Sequence, residues 1–156
     1  MPHREARDPL HNDDIIYTPD VVVFKSDTAY PRTLPEAEWR KLDVITCAAP
    51  NLRERPSNRM NMGDGDVRVE ISAADLQTLH ERRLRRIFDV AALNGAEAIV
   101  LGAFGCGAFR NDPKVVAAAA SKVVAEYRHA FRAIEFAVYC RPGDTANYDA
   151  FARNCV

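Results

Sequence analysis

The stretch Ala98-Ile-Val-Leu-Gly-Ala-Phe-Gly-Cys-Gly-Ala-Phe-Arg-Asn-Asp-Pro113 decides how the chain is read. It starts as a short apolar run and breaks into Gly102, Gly105 and Gly107. It resumes at Asp112-Pro113, a pair suited to open a helix: Asp accepts a backbone N–H as the cap, and Pro tolerates the first helical position. A buried strand, a glycine turn and a helix N-terminus in that order direct backbone N–H groups and the positive end of a helix dipole to one point. The stretch is therefore expected to floor a phosphate or diphosphate pocket.

Outward from this segment, helical and strand patterns alternate. Toward the N-terminus, Ser72 with Asp75 three residues on opens a helix to Leu93. Its apolar stripe is Leu84, Ile87, Phe88 and Ala91, and Asn94-Gly95 closes it. Before it, residues 52–67 form a polar loop with Pro56, Gly63 and Gly65, long enough to be either mobile or functional. Residues 43–49 read as a strand. Residues 33–40 hold a helical turn containing Trp39, and residues 15–24 form one strand interrupted at Thr18-Pro19-Asp20, or a short pair. Residues 1–14 are a polar arm.

Toward the C-terminus, a helix over 113–131 carries Val116, Ala120, Val123, Tyr127 and Phe131 on one stripe. Residues 133–140 read as a strand, and a capped helix begins near Asp144 or Thr145. Strands alternating with helices predict an α/β domain around a largely parallel sheet.

Composition narrows the function classes. The chain has 156 residues and a formal charge of −1 from 21 basic and 22 acidic side chains, so no global field recruits nucleic acid or an anionic membrane. The run Glu81-Arg-Arg-Leu-Arg-Arg86 lies on a helix and reads as a solvated face in preference to a phosphate patch. Cys47, Cys106, Cys140 and Cys155 have neither Cys-x-x-Cys spacing nor a zinc-finger histidine, which fits reduced thiols in the cytoplasm. No metal or cofactor is expected, and no apolar run reaches membrane-spanning length.

Known phosphate and nucleophile motifs do not fit the turn. Gly105-Cys106-Gly107 lacks the third glycine of the dinucleotide fingerprint, no Lys-Ser/Thr follows as in Walker A, and Phe104 and Ala108 stand where a nucleophile elbow needs glycine. Cys106 beside a helix N-terminus could in principle form a thiolate, yet a small apolar residue lining the turn is the preferred reading. Phe109 is either core or a cover for a ligand, Phe104 is packing, and Asn111 bonds either a ligand or the turn itself. Glu97 and Glu135 flank strands and point outward.

Three blocks, Ile15–Phe24, Ala48-Ala-Pro-Asn51 and Val100–Pro113, followed by Phe136-Ala-Val-Tyr139 and a short terminal helix, resemble the microbial-type poly(ADP-ribose) glycohydrolases in order and spacing. The resemblance implies a macrodomain, an α/β/α sandwich with a mixed sheet, over residues 15–156. It also implies ADP-ribose or its polymer as the ligand. Gly105, Cys106, Gly107 and Ala108 then match the loop around the diphosphate and distal ribose, Phe109 matches the aromatic against that ribose, and Asn111 completes the candidate set.

That family's glycine triplet followed by Gln-Glu-Glu is not in this sequence, so no catalytic residue is assigned. The match is to the C-terminal portion of such a domain, incomplete on its N-terminal side. Three outcomes follow: a glycohydrolase whose other part comes from elsewhere, a non-catalytic ADP-ribose or nucleotide binding module, or an inactive remnant. Uncovered sheet edges also predict self-association or a complementing partner chain.

Overall fold

A computed structural model describes residues 8–59 and 63–154. The first seven residues of the polar arm, Met60–Met62 of the long loop and Cys155 lie outside the described residues. Four strands and three helices follow in the order β1 (Ile15–Val23), β2 (Arg40–Cys47), α1 (Ala73–Leu93), β3 (Ala98–Leu101), α2 (Pro113–Tyr127), β4 (Ala133–Phe136) and α3 (Ala146–Asn154). A single turn of 3-10 helix, Glu36–Glu38, precedes β2 and leads directly into Trp39.

β1 is the interrupted single strand. Its antiparallel register to β2 shifts between Thr18 and Val21, where Asp20 takes a φ of +57°. Asp43 on β2 fixes this bulge by accepting from the Tyr17 hydroxyl at 2.5 Å and from the Asp20 N–H at 3.0 Å. β3 and β4 pair in parallel, Ala98 opposite Ala133 through Leu101 opposite Phe136. The strands thus form two separate two-stranded sheets, one antiparallel and one parallel. The expected parallel character is confined to β3 and β4: the connection from β1 to β2 carries only the single 3-10 turn, with no crossover α-helix, and the two strands pair antiparallel.

The helices begin and end as their sequence dictates. Ser72 caps α1 by accepting from the Asp75 N–H, and its own hydroxyl donates to the Asp75 carboxylate at 2.6 Å. At the other end Gly95 adopts φ +75°, a left-handed conformation that costs glycine little, so that its N–H and that of Ala96 close on Ala92 and Ala91. Asp112 caps α2 through the Lys114 N–H at 2.8 Å, with Pro113 in the first turn. α2 stops at Tyr127, four residues short of the expected end, and β4 spans only half of 133–140.

One core joins these elements. Leu84, Ile87, Phe88 and Ala91 of α1 meet Val116, Ala120 and Val123 of α2, Ile99 of β3 and Phe151 of α3. The small residues Ala117, Ala119 and Ala120, all essentially inaccessible to solvent, let α2 sit close to its neighbours. Phe88 stacks on Tyr127 and meets Phe131 edge-on, with centroids 5.1 and 5.6 Å away. Along the strands Ile15, Ile45, Leu101 and Ile134 pack on this core, whereas Ile16 and Val100, one residue over, are 64% and 66% exposed. The helices therefore cover one face of the strands, and the opposite face is open among the described residues.

The Glu81–Arg86 run departs from its expected role. Arg83 is wholly buried and Glu81 nearly so. Arg83 donates from Nε to Asp13 at 2.9 Å, and from its terminal nitrogens to the carbonyls of Ala48, Leu10 and His11. Glu81 accepts from Lys122 at 2.7 Å and from Arg85, which also holds Glu126, so the charges clasp α1 to α2. A 21-residue helix packed along α2 cannot keep every charged residue in water. Those nearest the seam are instead paired, as a buried ion must be.

Candidate functional site

The glycine turn occupies residues 102–112, between β3 and α2. Three backbone bonds shape it: Cys106 N–H to Ala103, Asn111 N–H to Gly105 and Arg110 N–H to Gly107, at 3.0, 3.1 and 3.2 Å. Gly105 and Arg110 both adopt positive φ, +79° and +60°. At Gly105 only glycine fits, because a Cβ would lie 2.7 Å from the Asn111 amide nitrogen and 2.9 Å from the Ala49 Cβ. Gly107 is different: nothing lies within 4 Å of where its Cβ would be. One glycine permits the fold of the turn, and the other leaves its outer side open.

Asn111 is the residue the turn is wrapped around. It is 2% exposed. Its amide nitrogen donates to the carbonyls of Pro50 at 2.7 Å and Gly105 at 3.0 Å, and its oxygen meets His80 Nε2 at 2.8 Å. Of the two roles the sequence left open for Asn111, the side chain fills the internal one. Its polar atoms are spent on the turn and on His80, so it positions the loop and presents nothing outward.

Cys106 is buried, and burial, followed by the charge of Asp112, pushes its thiol up to about 12. The helix N-terminus does not make a thiolate here, because desolvation of the charged form outweighs the dipole. Cys106 lines the turn as a small apolar residue.

Phe109 is half-buried, its ring 5.9 Å from that of His11. Its carbonyl accepts from the Leu52 N–H at 2.9 Å, which ties the turn to the long loop. Phe104 packs inward, edge-on to His80 at 5.6 Å. Among the described residues, the successive N–H groups of Gly107, Ala108 and Phe109 have no hydrogen-bond partner. Gly107 and Ala108 are exposed. This leaves a short row of main-chain donors on the open side of a turn whose inner side is fully bonded, ahead of the α2 N-terminus, and such a row suits an anion.

The Ala48–Asn51 block and the start of the described chain form the wall beneath. His11 places Nδ1 2.6 Å from the Ala49 carbonyl and Nε2 3.0 Å from the Asp64 carboxylate. Asn51, fully buried, donates to that same carboxylate at 2.7 Å and to the Pro56 carbonyl at 3.1 Å, and its own N–H reaches Pro9. The long loop is thereby pinned at Asn51 and Asp64 against the turn.

His11, Asn51, Asp64, His80 and Arg83 were not singled out as supports in the sequence, although two of them left a signal there. The α1 stripe of Leu84, Ile87, Phe88 and Ala91, extended back by helical spacing, passes through Leu76, His80 and Arg83. A histidine and an arginine at core positions of an amphipathic helix must bond something buried. Burial also holds the His80 ring below the ordinary histidine range, aided by the charge of Arg83 and opposed by the bond to Asn111.

The fold is a mixed α/β domain of macrodomain type, with its glycine turn at the junction of a parallel strand and a helix. No protein-family model matches the chain, and no curated protein sequence matches it. Solved structures do. A poly(ADP-ribose) glycohydrolase from Deinococcus radiodurans in complex with ADP-ribose is 30% identical with a TM-score of 0.75, over 94% of this chain and 54% of that one. A poly(ADP-ribose) glycohydrolase from Thermomonospora curvata bound to the inhibitor ADP-HPD is likewise 30% identical at a TM-score of 0.75, over 94% and 51%. Another structure from that organism gives 29%, 0.76, 94% and 49%. The chain is thus similar over nearly its whole length to microbial poly(ADP-ribose) glycohydrolases, as the three sequence blocks indicate, and it spans about half the length of these proteins.

Proposed function

We propose that this chain is an ADP-ribose-binding domain that holds the diphosphate on the open side of the turn at Gly105, Cys106, Gly107 and Ala108, with Phe109 against a ribose. The single observation that carries the reading is the row of unbonded N–H groups at Gly107, Ala108 and Phe109, on a turn whose inner side is locked by Asn111. The likeness to glycohydrolases solved with ADP-ribose and ADP-HPD supplies the ligand class.

Cleaving a glycosidic bond passes through an oxocarbenium-like state that a carboxyl group must serve. The carboxylates tied to this region are already occupied: Asp112 caps α2, and Asp64 holds His11 and Asn51. Glu97 faces outward and pairs with Arg132. On this reading the chain by itself binds ADP-ribose and does not turn over the polymer.

Calorimetric titration with ADP-ribose, beside ADP and ribose 5-phosphate, tests the proposal. Binding is expected, together with a stabilisation of about 2.7 kcal/mol at a hundredfold excess over Kd. Gly107→Glu should fold normally, since its side chain enters open space, and should lose binding because a carboxylate then occupies the anion position. No heat and no thermal shift at millimolar ADP-ribose would remove the reading. Incubation with poly(ADP-ribose) should release no ADP-ribose.

A further inference from the structure

His11 directs both of its ring nitrogens at acceptors. Nδ1 lies 2.6 Å from the Ala49 carbonyl, and Nε2 lies 3.0 Å from Oδ1 of Asp64. A neutral imidazole has one N–H and one lone pair, so it can donate to only one of these oxygens. Serving both takes a second proton. That proton sits on the ring, because Asn51 already donates to Oδ2 of Asp64 at 2.7 Å, and such a bond favours the charged carboxylate. Asp64 is 5% exposed, so water cannot readily replace the His11 donor.

Three segments meet at this pair. Asp64 belongs to the long loop, Ala49 follows β2, and the Phe109 ring of the glycine turn lies 5.9 Å from the His11 ring. The His11 main chain is fixed as well. Its N–H donates to the Asp8 carbonyl at 3.1 Å, its carbonyl accepts from Arg83 at 2.7 Å, and its φ is +60°. Arg83 of α1 opposes a second cation here, and Asp13, paired with both Arg82 and Arg83, offsets that charge. The Asp8 carboxylate is spent on the Leu10 N–H.

We infer that His11 is a positioning residue that acts only as the imidazolium, bracing Phe109 and the Asp64 end of the long loop against the turn while it holds its second proton. When that proton leaves, the ring keeps one N–H, toward Ala49 or toward Asp64, and at the other contact two lone pairs face each other. The brace is therefore complete in acid and lost as pH rises. Its sign is opposite to that of His80, whose neutral form belongs to the fold. The consequence for ligand rests on the reading of Phe109 as the ring against a ribose: a ring held in place beforehand lowers the ordering cost, so ADP-ribose binds the protonated form more tightly.

The test follows three readouts between about pH 5 and about pH 8, the span in which imidazoles ordinarily change charge. These are nitrogen-15 NMR of the His11 ring, amide exchange corrected for the intrinsic effect of pH, and calorimetric titration with ADP-ribose. Both ring nitrogens should carry protons at the acid end and only one at the other. In the same step the Leu52 and Ser57 amides, which donate to the Phe109 and Gly65 carbonyls, should lose protection, and Kd for ADP-ribose should rise about tenfold, an ordinary coupling between two sites. His11→Asn, a residue that tolerates this positive φ, should behave at every pH as the parent does at the alkaline end. Asp64→Asn removes the carboxylate that calls for the proton and should abolish the His11 step. A His11 ring neutral at about pH 5 overturns the inference, as does a ring titration that moves neither amide, or a pH dependence of binding that survives unchanged in His11→Asn. If ADP-ribose binds at neither pH, the reading of the turn falls, and the ring spectrum and the two amides of the parent chain still decide for or against the brace.

Discussion

Gly105→Ala and Gly107→Ala place the same methyl group two residues apart on one turn, and the structure assigns them opposite consequences. At Gly105 the backbone sits at φ +79°, where an L side chain costs roughly 1–2 kcal/mol. The new Cβ would also lie 2.7 Å from the amide nitrogen of Asn111 and 2.9 Å from its Cγ. Asn111 cannot yield freely, because it is held by Pro50, Gly105 and His80 at 2.7 to 3.0 Å. Moving it by a few tenths of an ångström breaks at least one buried bond, for about 1–3 kcal/mol more. The sum is about 2–5 kcal/mol, a large part of an ordinary domain's stability of roughly 5–15 kcal/mol, and a fall in Tm of roughly 5–15 °C.

At Gly107 no atom lies within 4 Å and φ is not positive, so the same change is neutral, or stabilising by up to about 1 kcal/mol through the unfolded chain. Urea denaturation followed by circular dichroism measures both. A cycle with Asn111→Ala separates the terms: with Asn111 removed, Gly105→Ala should cost only its backbone share and the contact with Ala49. Gly105→Ala within about 0.5 kcal/mol of the parent, or Gly107→Ala as damaging as Gly105→Ala, would refute the account of the turn.

Two further outcomes follow from the supports beneath it. His80 is wholly buried, its Nδ1 has no partner among the described residues, and its folded-state pKa lies below the ordinary value of about 6.5. A depressed histidine leaves stability intact above the unfolded value and removes it as pH falls below, because the unfolded state then takes up the proton first. Tm should therefore drop between pH 7 and pH 5, and His80→Gln, which keeps a donor toward Asn111, should flatten that slope; an unchanged slope would contradict the assignment. Arg83→Met strips the donors from three carbonyls and from Asp13 in a closed seam, an expected loss of about 3–5 kcal/mol in urea denaturation. Arg83→Lys should recover only part of it, because an ammonium cannot reach four acceptors in one plane.

The parts of this protein that were legible in the sequence are those set by nearest neighbours along the chain. Ser72 with Asp75, Asn94-Gly95 and Asp112-Pro113 each act within one helical turn, and each closes or opens a helix where its spacing indicates. The bulge at Thr18-Pro19-Asp20 is local in the same way. What stayed hidden depends on partners far away in sequence. The role of Asn111 is decided by Pro50, 61 residues earlier, and by His80, 31 residues earlier. That of Arg83 is decided by carbonyls more than 70 residues away at Leu10 and His11. A run of arginines on a helix looks solvated until something carries acceptors to it, and the segment from Pro9 to Asp13 does so here.

The same distinction bears on what the turn can do. Its outward donors come from backbone, so they depend on φ at Gly105 and Arg110 and on the absence of a side chain at Gly107, all properties the sequence can encode locally. Their rigidity comes from Asn111, which is in turn braced by α1 through His80 and by the Ala48–Asn51 block through Pro50. An anion bound at Gly107–Phe109 would meet groups already held in place, so little ordering cost would offset its hydrogen bonds. Catalysis asks for something different, a carboxyl group aimed at the glycosidic carbon, and preorganised amides cannot supply one. Near the wall, the buried Asp64 acts as a structural acceptor for His11 and Asn51, and the half-buried Asp13 does so for Arg82 and Arg83. Holding an anion and cleaving a glycosidic bond are therefore separable demands, and the proposed binding rests on the first, through the backbone of the turn.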